Sequence, residues 1–458
     1  MKVLKFGGTS VGTVESLRSV KQIVEEIPGN AIIVVSALGG LTDKLISTAQ
    51  LASMANPNWK SEMEAIRQRH LNIIEQVVPE ELKEEVTTKV SRQLDALERN
   101  YEGVALLRTL PENTLDNIVS FGERMSSVIV AAMVENGKRY FSPDFIVTEK
   151  WYGKNIAETK KTDNLISKAF ENIGPNEKAV VPGFISKDIL TGEITNLGRG
   201  GSDYTGALIA AALDAEVLEI WTDVDGFMTA DPRVVKEALI IPHLTFTESM
   251  ELCNFGAKVV YPPTIFPVFH KNIPIKILNT FNPKAPGSLI TDQTLEEDFD
   301  VKGVSSLKDV ALVSFEINPE LKNPSYHKRA LNALSKHGIR IIPVANPNPD
   351  LELCFAVAAT DSDRSLNILQ TEFAPEISKG YIQSPLLKRN LAALALVGKN
   401  MRNKSALAAR VGHSLRRKGI IVEAYSPGNS DTSIIYIIDQ EKSPEALLLI
   451  HSLIFKEH

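Results

Sequence analysis

Lys5-Phe6-Gly7-Gly8-Thr9-Ser10 closes a short apolar run near the start of the chain, and Val11-Gly12 follows it. The reading of these residues decides the fold. A lysine ending a strand, two glycines, two hydroxyls and then a helix opening at Val11-Gly12 build a cradle for an anion. Glycines let the backbone turn tightly and aim successive N–H groups at one point, and a helix N-terminus adds positive dipole. Lys5 puts a full charge in the same place. The pattern predicts phosphate binding, although a Gly-Gly pair after a buried strand also serves as a plain turn. It is not a Walker A loop, because Gly-x-x-x-x-Gly-Lys-Ser/Thr occurs nowhere in the chain.

Outward from this loop, residues 3–6, 31–36, 179–184, 217–222 and 273–278 read as buried strands. Their near-continuous apolar character suits a parallel sheet covered on both faces. Helical stretches lie between them: 42–54, the charged region 61–101, and 123–136, which Gly137 stops. Residues 184–197 read as a hairpin turning at Leu190-Thr191-Gly192. Helices alternating with strands predict an α/β sandwich with its ligand at the strand C-termini.

After Asn282-Pro283-Lys284-Ala285-Pro286-Gly287 and the acidic stretch 295–300 the pattern changes. A strand at 310–317, a helix at 327–337 ended by Gly338, strands at 339–345 and 351–358, a helix near 364–372 and a strand near 380–383 make a βαββαβ unit. The order then returns: strand 391–397, helix 404–418 ended by Gly419, strands 420–425 and 433–438, and a last helix from Pro444. The copies align at Leu334-Ser335-Lys336-His337-Gly338-Ile339 and Leu415-Arg416-Arg417-Lys418-Gly419-Ile420, 81 residues apart. The second copy lacks its closing strand. Residues 301–307 have the right length to supply it, which makes the first copy an insertion within the second.

At 458 residues the chain exceeds one core, so two or three domains are expected. It is 43% hydrophobic and 23% charged, with a formal net charge of −6. That mild acidity speaks against nucleic acid and membrane surfaces as partners, and an anion site must concentrate its own cations. The only two cysteines, Cys253 and Cys354, lie far apart and read as buried small apolar residues rather than a disulfide or thiolate metal site. The eight histidines form no His-x-x-x-His pair. The chain begins on a strand, so no signal peptide is expected, and the apolar runs 31–38 and 207–213 are too short to span a bilayer. A cytoplasmic protein is the expectation.

Gly198-Arg199-Gly200-Gly201-Ser202-Asp203 opens an apolar helix at 204–213, with Ser202 or Asp203 as a natural N-cap. Capping explains those two residues but not an arginine between glycines, whose fork suits a carboxylate or phosphate. Phe121-Gly122-Glu123-Arg124-Met125-Ser126 reads as a helix start. There Glu123 either favours the dipole or accepts hydrogen bonds from a substrate ammonium. From Trp221-Thr222-Asp223 to Ala230-Asp231-Pro232-Arg233, polar groups follow a strand end and suit a nucleotide loop. Lys258, in Phe255-Gly256-Ala257-Lys258, is either another site cation or a solvated surface lysine.

Together these segments resemble the aspartate kinases of the amino-acid kinase family. The matching stretches are 5–10, 34–37, 120–126, 197–205, 220–233 and 256–260, in the family's order, and residues 306–458 resemble its paired regulatory ACT domains. The resemblance implies an amino-acid-kinase-type α/β sandwich with a mainly parallel central sheet, plus two C-terminal βαββαβ units of the ferredoxin-like ACT type. It divides the chain into a catalytic domain at 1–285, a linker and donated strand at 286–308, and ACT units at 309–386 and 387–458. It implies phosphoryl transfer from ATP, with Mg²⁺ held mainly through the ATP phosphates and not by side chains, to L-aspartate. That reaction is the first step toward lysine, threonine, methionine and isoleucine.

Carried over by residue, Lys5, Gly7, Gly8, Thr9 and Ser10 hold ATP phosphates, and Thr222, Asp223, Phe227, Arg233 and Lys258 serve the nucleotide. Ser36, Thr42, Glu123, Arg199, Gly200, Gly201 and Ser202 hold aspartate. Lys5, Asp203 and Lys258 are the catalytic set, Asp203 orienting the lysines.

Two departures stand out. Tyr261-Pro262-Pro263 replaces the family's His-Pro-Arg, and the first ACT turn reads Ala345-Asn346-Pro347-Asn348-Pro349-Asp350, where a Gln-x-Ser-Ser-Glu-like turn is usual. The second copy keeps Ser426-Pro427-Gly428-Asn429-Ser430-Asp431. Lysine or threonine as an effector, or none, therefore stays open. Pairing of ACT sheet edges predicts a homodimer or higher homo-oligomer. Without Gly-x-Gly-x-x-Gly, no attached homoserine dehydrogenase is expected. A related kinase acting on glutamate, N-acetylglutamate or carbamate, and a non-catalytic amino-acid sensor, are the rival readings.

Overall fold

The computed structural model describes residues 1–151, 153–293, 300–318, 325–342, 344, 352–426 and 431–455, Thr264 by its backbone alone. The chain forms two compact units, Met1–Phe227 with Val259–Gln293, and Met228–Lys258 with Thr294–His458.

The first unit begins with β1 (Lys2–Phe6), α1 (Val14–Glu25), β2 (Ala31–Val35) and four helices in succession: α2 (Leu41–Ser53), α3 (Asn58–Val77), α4 (Glu80–Leu107) and α5 (Glu112–Met133). There follow β3 (Gly137–Arg139), β4 (Val147–Trp151), β5 (Lys154–Ala157), α6 (Thr159–Phe170), β6 (Lys178–Pro182) and the hairpin of β7 (Ile185–Asp188) and β8 (Ile194–Asn196). Next come α7 (Gly201–Ala212) and β9 (Val217–Thr222). After β10 (His243–Thr245) and α8 (Phe246–Asn254), which belong to the second unit, α9 (Phe266–His270), β11 (Ile275–Asn279) and β12 (Ser288–Thr291) complete the first.

Seven of its strands lie in the order β12-β11-β9-β1-β2-β6-β3, parallel except for β12. The central strands are Val- and Ile-rich and buried along their length, as strands covered on both faces must be. A small second sheet runs β5-β4-β7-β8. Leu4, Phe6, Ile33 and Val35 pack into one core with Leu17 and Val20 of α1 and Leu94, Leu97 and Tyr101 of α4. The buried Tyr101 hydroxyl donates to the Leu45 carbonyl, which satisfies its polar end.

Five strands and the 184–197 hairpin stand where the sequence predicts, but several element ends differ. α1 begins at Val14, not at Val11-Gly12. The Thr13 hydroxyl accepts from Ser16 N–H and the Ser16 hydroxyl from Thr13 N–H, a reciprocal cap that defines the start. The region 61–101 is two helices, broken at Pro79, which holds Val78 extended. α5 starts at Glu112 behind Pro111, eleven residues earlier than expected, so Glu123 lies mid-helix and not in a first turn. α7 starts at Gly201. Its N-cap is Gly200 in the left-handed conformation, so neither Ser202 nor Asp203 is the cap. The two cysteines form no disulfide and are half-buried rather than buried. Burial pushes the Cys354 thiol up to about 11.

In the second unit the sheet order is β14-β15-β13-β16-β18-β17, antiparallel throughout, with β13 (Val301–Glu316), β14 (Ile341–Ile342), β15 (Glu352–Ala358), β16 (Leu386–Gly398), β17 (Val422–Ser426) and β18 (Ser433–Asp439). Helices α10 (Ser325–Lys336), α11 (Ser362–Glu372), α12 (Ala374–Ser378), α13 (Ser405–Arg417) and α14 (Ser443–Phe455) complete it. The segments 301–307 and 310–317, read as separate strands, are one continuous strand. Its first half pairs with Ala393–Gly398 of β16 and its second half with β15. No strand forms near 380–383, only a bridge from Ile382 to Ile317.

The repeat is visible in the backbone. Gly338 and Gly419 share φ 71°, and Ile339 and Ile420 donate identically to Leu334 and Leu415 at 3.0 Å. Asp309 and Asn390, also 81 residues apart, both have φ 58° within β13 and β16. Each copy has its own core: Phe315, Leu334, Phe355 and Phe373 in one, Leu394, Val411, Leu415 and Tyr436 in the other. The expected effector turn at 345–350, residues 427–430 of the second turn at 426–431, and residues 295–299 of the acidic stretch 295–300 lie outside the described residues.

Candidate active site

Lys5 stands one residue from the end of β1, registered between Val34 and Ile220. Its ammonium lies 2.7 Å from Asp203 Oδ1, both side chains nearly buried. Asp203 is at the third position of α7, so the sheet end and a helix N-terminus meet at this ion pair. The contact is a close ion pair, and an ammonium has three N–H groups, so Lys5 can serve a second acceptor beside Asp203.

The loop after β1 folds against the loop after β2. A Cβ on Gly39 would come within 2.9 Å of the Gly8 carbonyl oxygen, and one on Gly12 within 3.1 Å of it. Only glycines allow this approach. α5 closes on the same loop: a Cβ on Gly122 would come 2.6 Å from the Ala37 Cβ, and the Ser126 hydroxyl donates to the Ser36 carbonyl at 2.7 Å.

That contact delivers Glu123. Its Oε1 accepts from the Ala37 N–H at 3.0 Å, while Oε2, buried, has no partner. Burial pushes its carboxyl up to about 8, against the lowering effect of its backbone hydrogen bonds and of Lys5. An unpartnered carboxyl oxygen in such a place suits an incoming cation.

These groups line a cleft of about 300 Å³. Of the residues expected in the site, it brings together Lys5, Gly8, Ser36, Thr42, Glu123, Arg199, Gly200, Gly201, Ser202 and Asp203. Arg199 is exposed, its guanidinium 5.8 Å from the Tyr261 ring centroid. The helices whose N-termini border the cleft, α2 behind Gly40 and α7 behind Gly200, carry no side-chain cap, whereas α1 and α6 do. The Leu41 and Gly201 N–H groups donate to the Leu38 and Gly198 carbonyls, and the amides that follow them in each first turn are left for an anion.

Other expected residues are placed differently. Gly7 N–H donates to the Trp221 carbonyl, and Thr9 is exposed. Ser10 is fully buried, its hydroxyl bonded to the Trp221 carbonyl and the Thr280 hydroxyl, so it fastens the loop and does not face the cleft. Phe227 is fully buried and its N–H donates to the Ser288 hydroxyl, so its ring is core. Thr222 and Asp223 stand at the end of β9, hydrogen-bonded to each other. Arg233 and Lys258 belong to the second unit. There Arg233 is forked onto Asp231, and Lys258 is exposed.

Sequence reasoning missed Ala37, Leu38, Gly39, Gly40, Phe184 and Gly198 as cleft-lining residues. Gly39-Gly40 repeats the signal of Gly7-Gly8, a double glycine just past a buried strand, and was readable. Phe184 was not: it has φ 67°, held by its N–H donating to Thr205 and its carbonyl accepting from Leu197. Among the described residues, no group of three or more His, Cys, Asp or Glu side chains forms a metal site, and no helix is long and apolar enough to cross a membrane.

A mainly parallel sheet that carries a lysine, two glycine loops and two helix N-termini at the C-terminal ends of its central strands has the architecture of a small-molecule phosphotransferase. The amino acid kinase family model matches residues 1–279 and an ACT domain model residues 394–453; the chain belongs to the amino acid kinase family. It is 30% identical over 467 residues to the bifunctional aspartokinase/homoserine dehydrogenase of Haemophilus influenzae, covering 99% of this chain and 56% of that one. The chain thus spans little more than half the length of that relative. It is 28% identical to chloroplastic aspartokinase 1 of Arabidopsis thaliana, covering 99% of this chain and 80% of the relative. Among solved structures, E. coli aspartokinase III in complex with aspartate and ADP superposes with a TM-score of 0.81 at 25% identity, over 99% of this chain and 100% of that one.

Proposed function

We propose that the chain is an aspartate kinase. In that reaction a β-carboxylate oxygen of L-aspartate attacks the γ-phosphorus of ATP. The bond from that phosphorus to the β,γ-bridging oxygen breaks, and ADP leaves with its electron pair, giving 4-phospho-L-aspartate. The observation that carries the reading is the unpartnered, buried Oε2 of Glu123 in a cleft that also holds Lys5 and Arg199. An amino acid with a second carboxylate satisfies all three: its ammonium meets Glu123, one carboxylate meets Arg199, and the other is left near Lys5.

A carboxylate is nucleophilic at neutral pH, so no general base is required. The obstacle is bringing two anions together, and Lys5 with the loop and helix amides offsets that repulsion. The proposal includes a metal that arrives with the nucleotide as MgATP. The bound metal would neutralise the β- and γ-phosphate oxygens. Lys258 and Arg233, by the resemblance, serve the nucleotide.

The same proposal includes feedback by an amino acid, lysine or threonine, at the ACT repeats. The ACT match at 394–453 supports it, as does the structural relation to E. coli aspartokinase III in complex with lysine and aspartate, with a TM-score of 0.74. It also includes a homodimer through ACT sheet edges, a cytoplasmic location, and a place at the head of lysine, threonine and methionine synthesis. A hydroxamate assay with MgATP and a panel of aspartate, glutamate, N-acetylglutamate and carbamate, titrated with lysine, threonine and methionine, tests it. Aspartate as the preferred acceptor is the expected result. Faster turnover on another acceptor, or none on aspartate, refutes the reading.

A further inference from the structure

Arg69 lies on α3, well away in sequence from every glycine motif. Its Nη2 donates to the Gly12 carbonyl at 3.0 Å and to the Gly39 carbonyl at 2.9 Å. These two carbonyls belong to the two loops that touch at Gly8 and Gly39. One guanidinium nitrogen therefore staples together the backbones of both loops from the side of the helical layer.

The consequence follows from peptide geometry. In a trans peptide the C=O and the next N–H point to opposite sides. Holding the Gly39 carbonyl toward Arg69 turns the Gly40 N–H the other way, and that amide has no intramolecular partner among the described residues. Gly39 and Gly40 line the cleft, and Gly40 is the N-cap of α2. Arg69 is half-buried, and burial alone lowers its pKa, with no carboxylate shifting it. A half-buried cation committed to two backbone carbonyls differs from Arg67 of the same helix. Arg67 pairs with Asp95 at 3.0 Å and Glu98 at 2.9 Å, an ordinary link between α3 and α4.

We infer that Arg69 is a positioning residue for phosphoryl transfer, fixing the two glycine loops so that their amides stay aimed at the transferring group. This rests on the kinase reading above. It acts through the loops without touching substrate, so its loss changes the rate more than ground-state binding.

The test compares Arg69→Met, Arg69→Lys and Arg67→Met with the wild type, by hydroxamate kinetics and by hydrogen exchange of backbone amides. Arg69→Met should lower kcat by about 100-fold, the loss typical of a misplaced catalytic frame, with KM for aspartate changed less than about threefold. Arg69→Lys should recover part of kcat, and Arg67→Met should leave kcat within about twofold. Exchange should rise in 7–12 and 38–41 for Arg69→Met and stay at wild-type rates there for Arg67→Met. Equal kcat losses in Arg69→Met and Arg67→Met, or unaltered loop exchange in Arg69→Met, overturn the inference. A wild type inactive on aspartate sinks the kinase reading instead, and loop exchange then decides the role of Arg69 alone.

Discussion

Replacing Glu123 by Gln should make the protein more stable and less able to bind aspartate, both in a pH-dependent way. The carboxyl is buried, takes one N–H from Ala37 and leaves Oε2 without a partner, and burial raises it from 4.5 to about 8. For a carboxyl raised on folding, stability is fully present below pH 4.5, is lost as pH rises through 4.5 to 8, and is level above that. At 1.36 kcal/mol per unit, the group disfavours the folded state by about 3 kcal/mol at pH 7 and about 5 kcal/mol above pH 8. Gln has nearly the same shape and no charge. Glu123→Gln should therefore raise the unfolding temperature by several degrees at pH 8, and hardly at all near pH 4.5.

Binding runs the opposite way. An ammonium needs the ionised carboxylate, so KM for aspartate in the wild type should fall nearly tenfold per pH unit between pH 6 and 7.5. In Glu123→Gln that slope should vanish, and KM at pH 8 should rise by about 10- to 100-fold, the worth of a hydrogen bond to a charged group. Calorimetry across pH 4.5 to 8.5 with hydroxamate kinetics at each pH reads both effects. A flat KM profile in the wild type, or a Gln variant less stable at pH 8, would refute this account of the cleft.

Three further outcomes follow from the geometry. Lys5→Ala should lower kcat by at least 100- to 1,000-fold, the cost of about 3 kcal/mol for one preorganised donor, while circular dichroism shows an intact fold; near-normal turnover contradicts the mechanism. Arg199→Ala, removing an exposed side chain whose guanidinium lies over the Tyr261 ring, should leave the melting temperature unchanged and raise KM for aspartate by about tenfold or more; an unchanged KM removes Arg199 from the acceptor site. Gly122→Ala should destabilise by about 1–3 kcal/mol, because its Cβ would lie 2.6 Å from the Ala37 Cβ, and should weaken aspartate binding by shifting Glu123; unaltered denaturant midpoint and KM would show that α5 yields freely there.

Residue pattern by itself determined most strand positions and where the glycine-rich turns fall. Strand positions in the parallel sheet, the glycine loop behind Lys5, the glycines around Arg199 and the 81-residue repeat are local or periodic facts, written in side-chain polarity and backbone permissiveness. Tertiary structure alone decided how those pieces meet. It made Glu123 a buried mid-helix carboxyl, because α5 extends back to Pro111 and packs through Gly122 on the loop after β2. It turned Ser10 and Phe227 into fastening and core, though both sit in motifs that read as ligand contacts. It joined two segments into β13, whose two halves serve different repeats. The physical reason is that burial, unpaired polar atoms and close backbone approach depend on atoms contributed by residues many tens of positions away. No local window of sequence contains them.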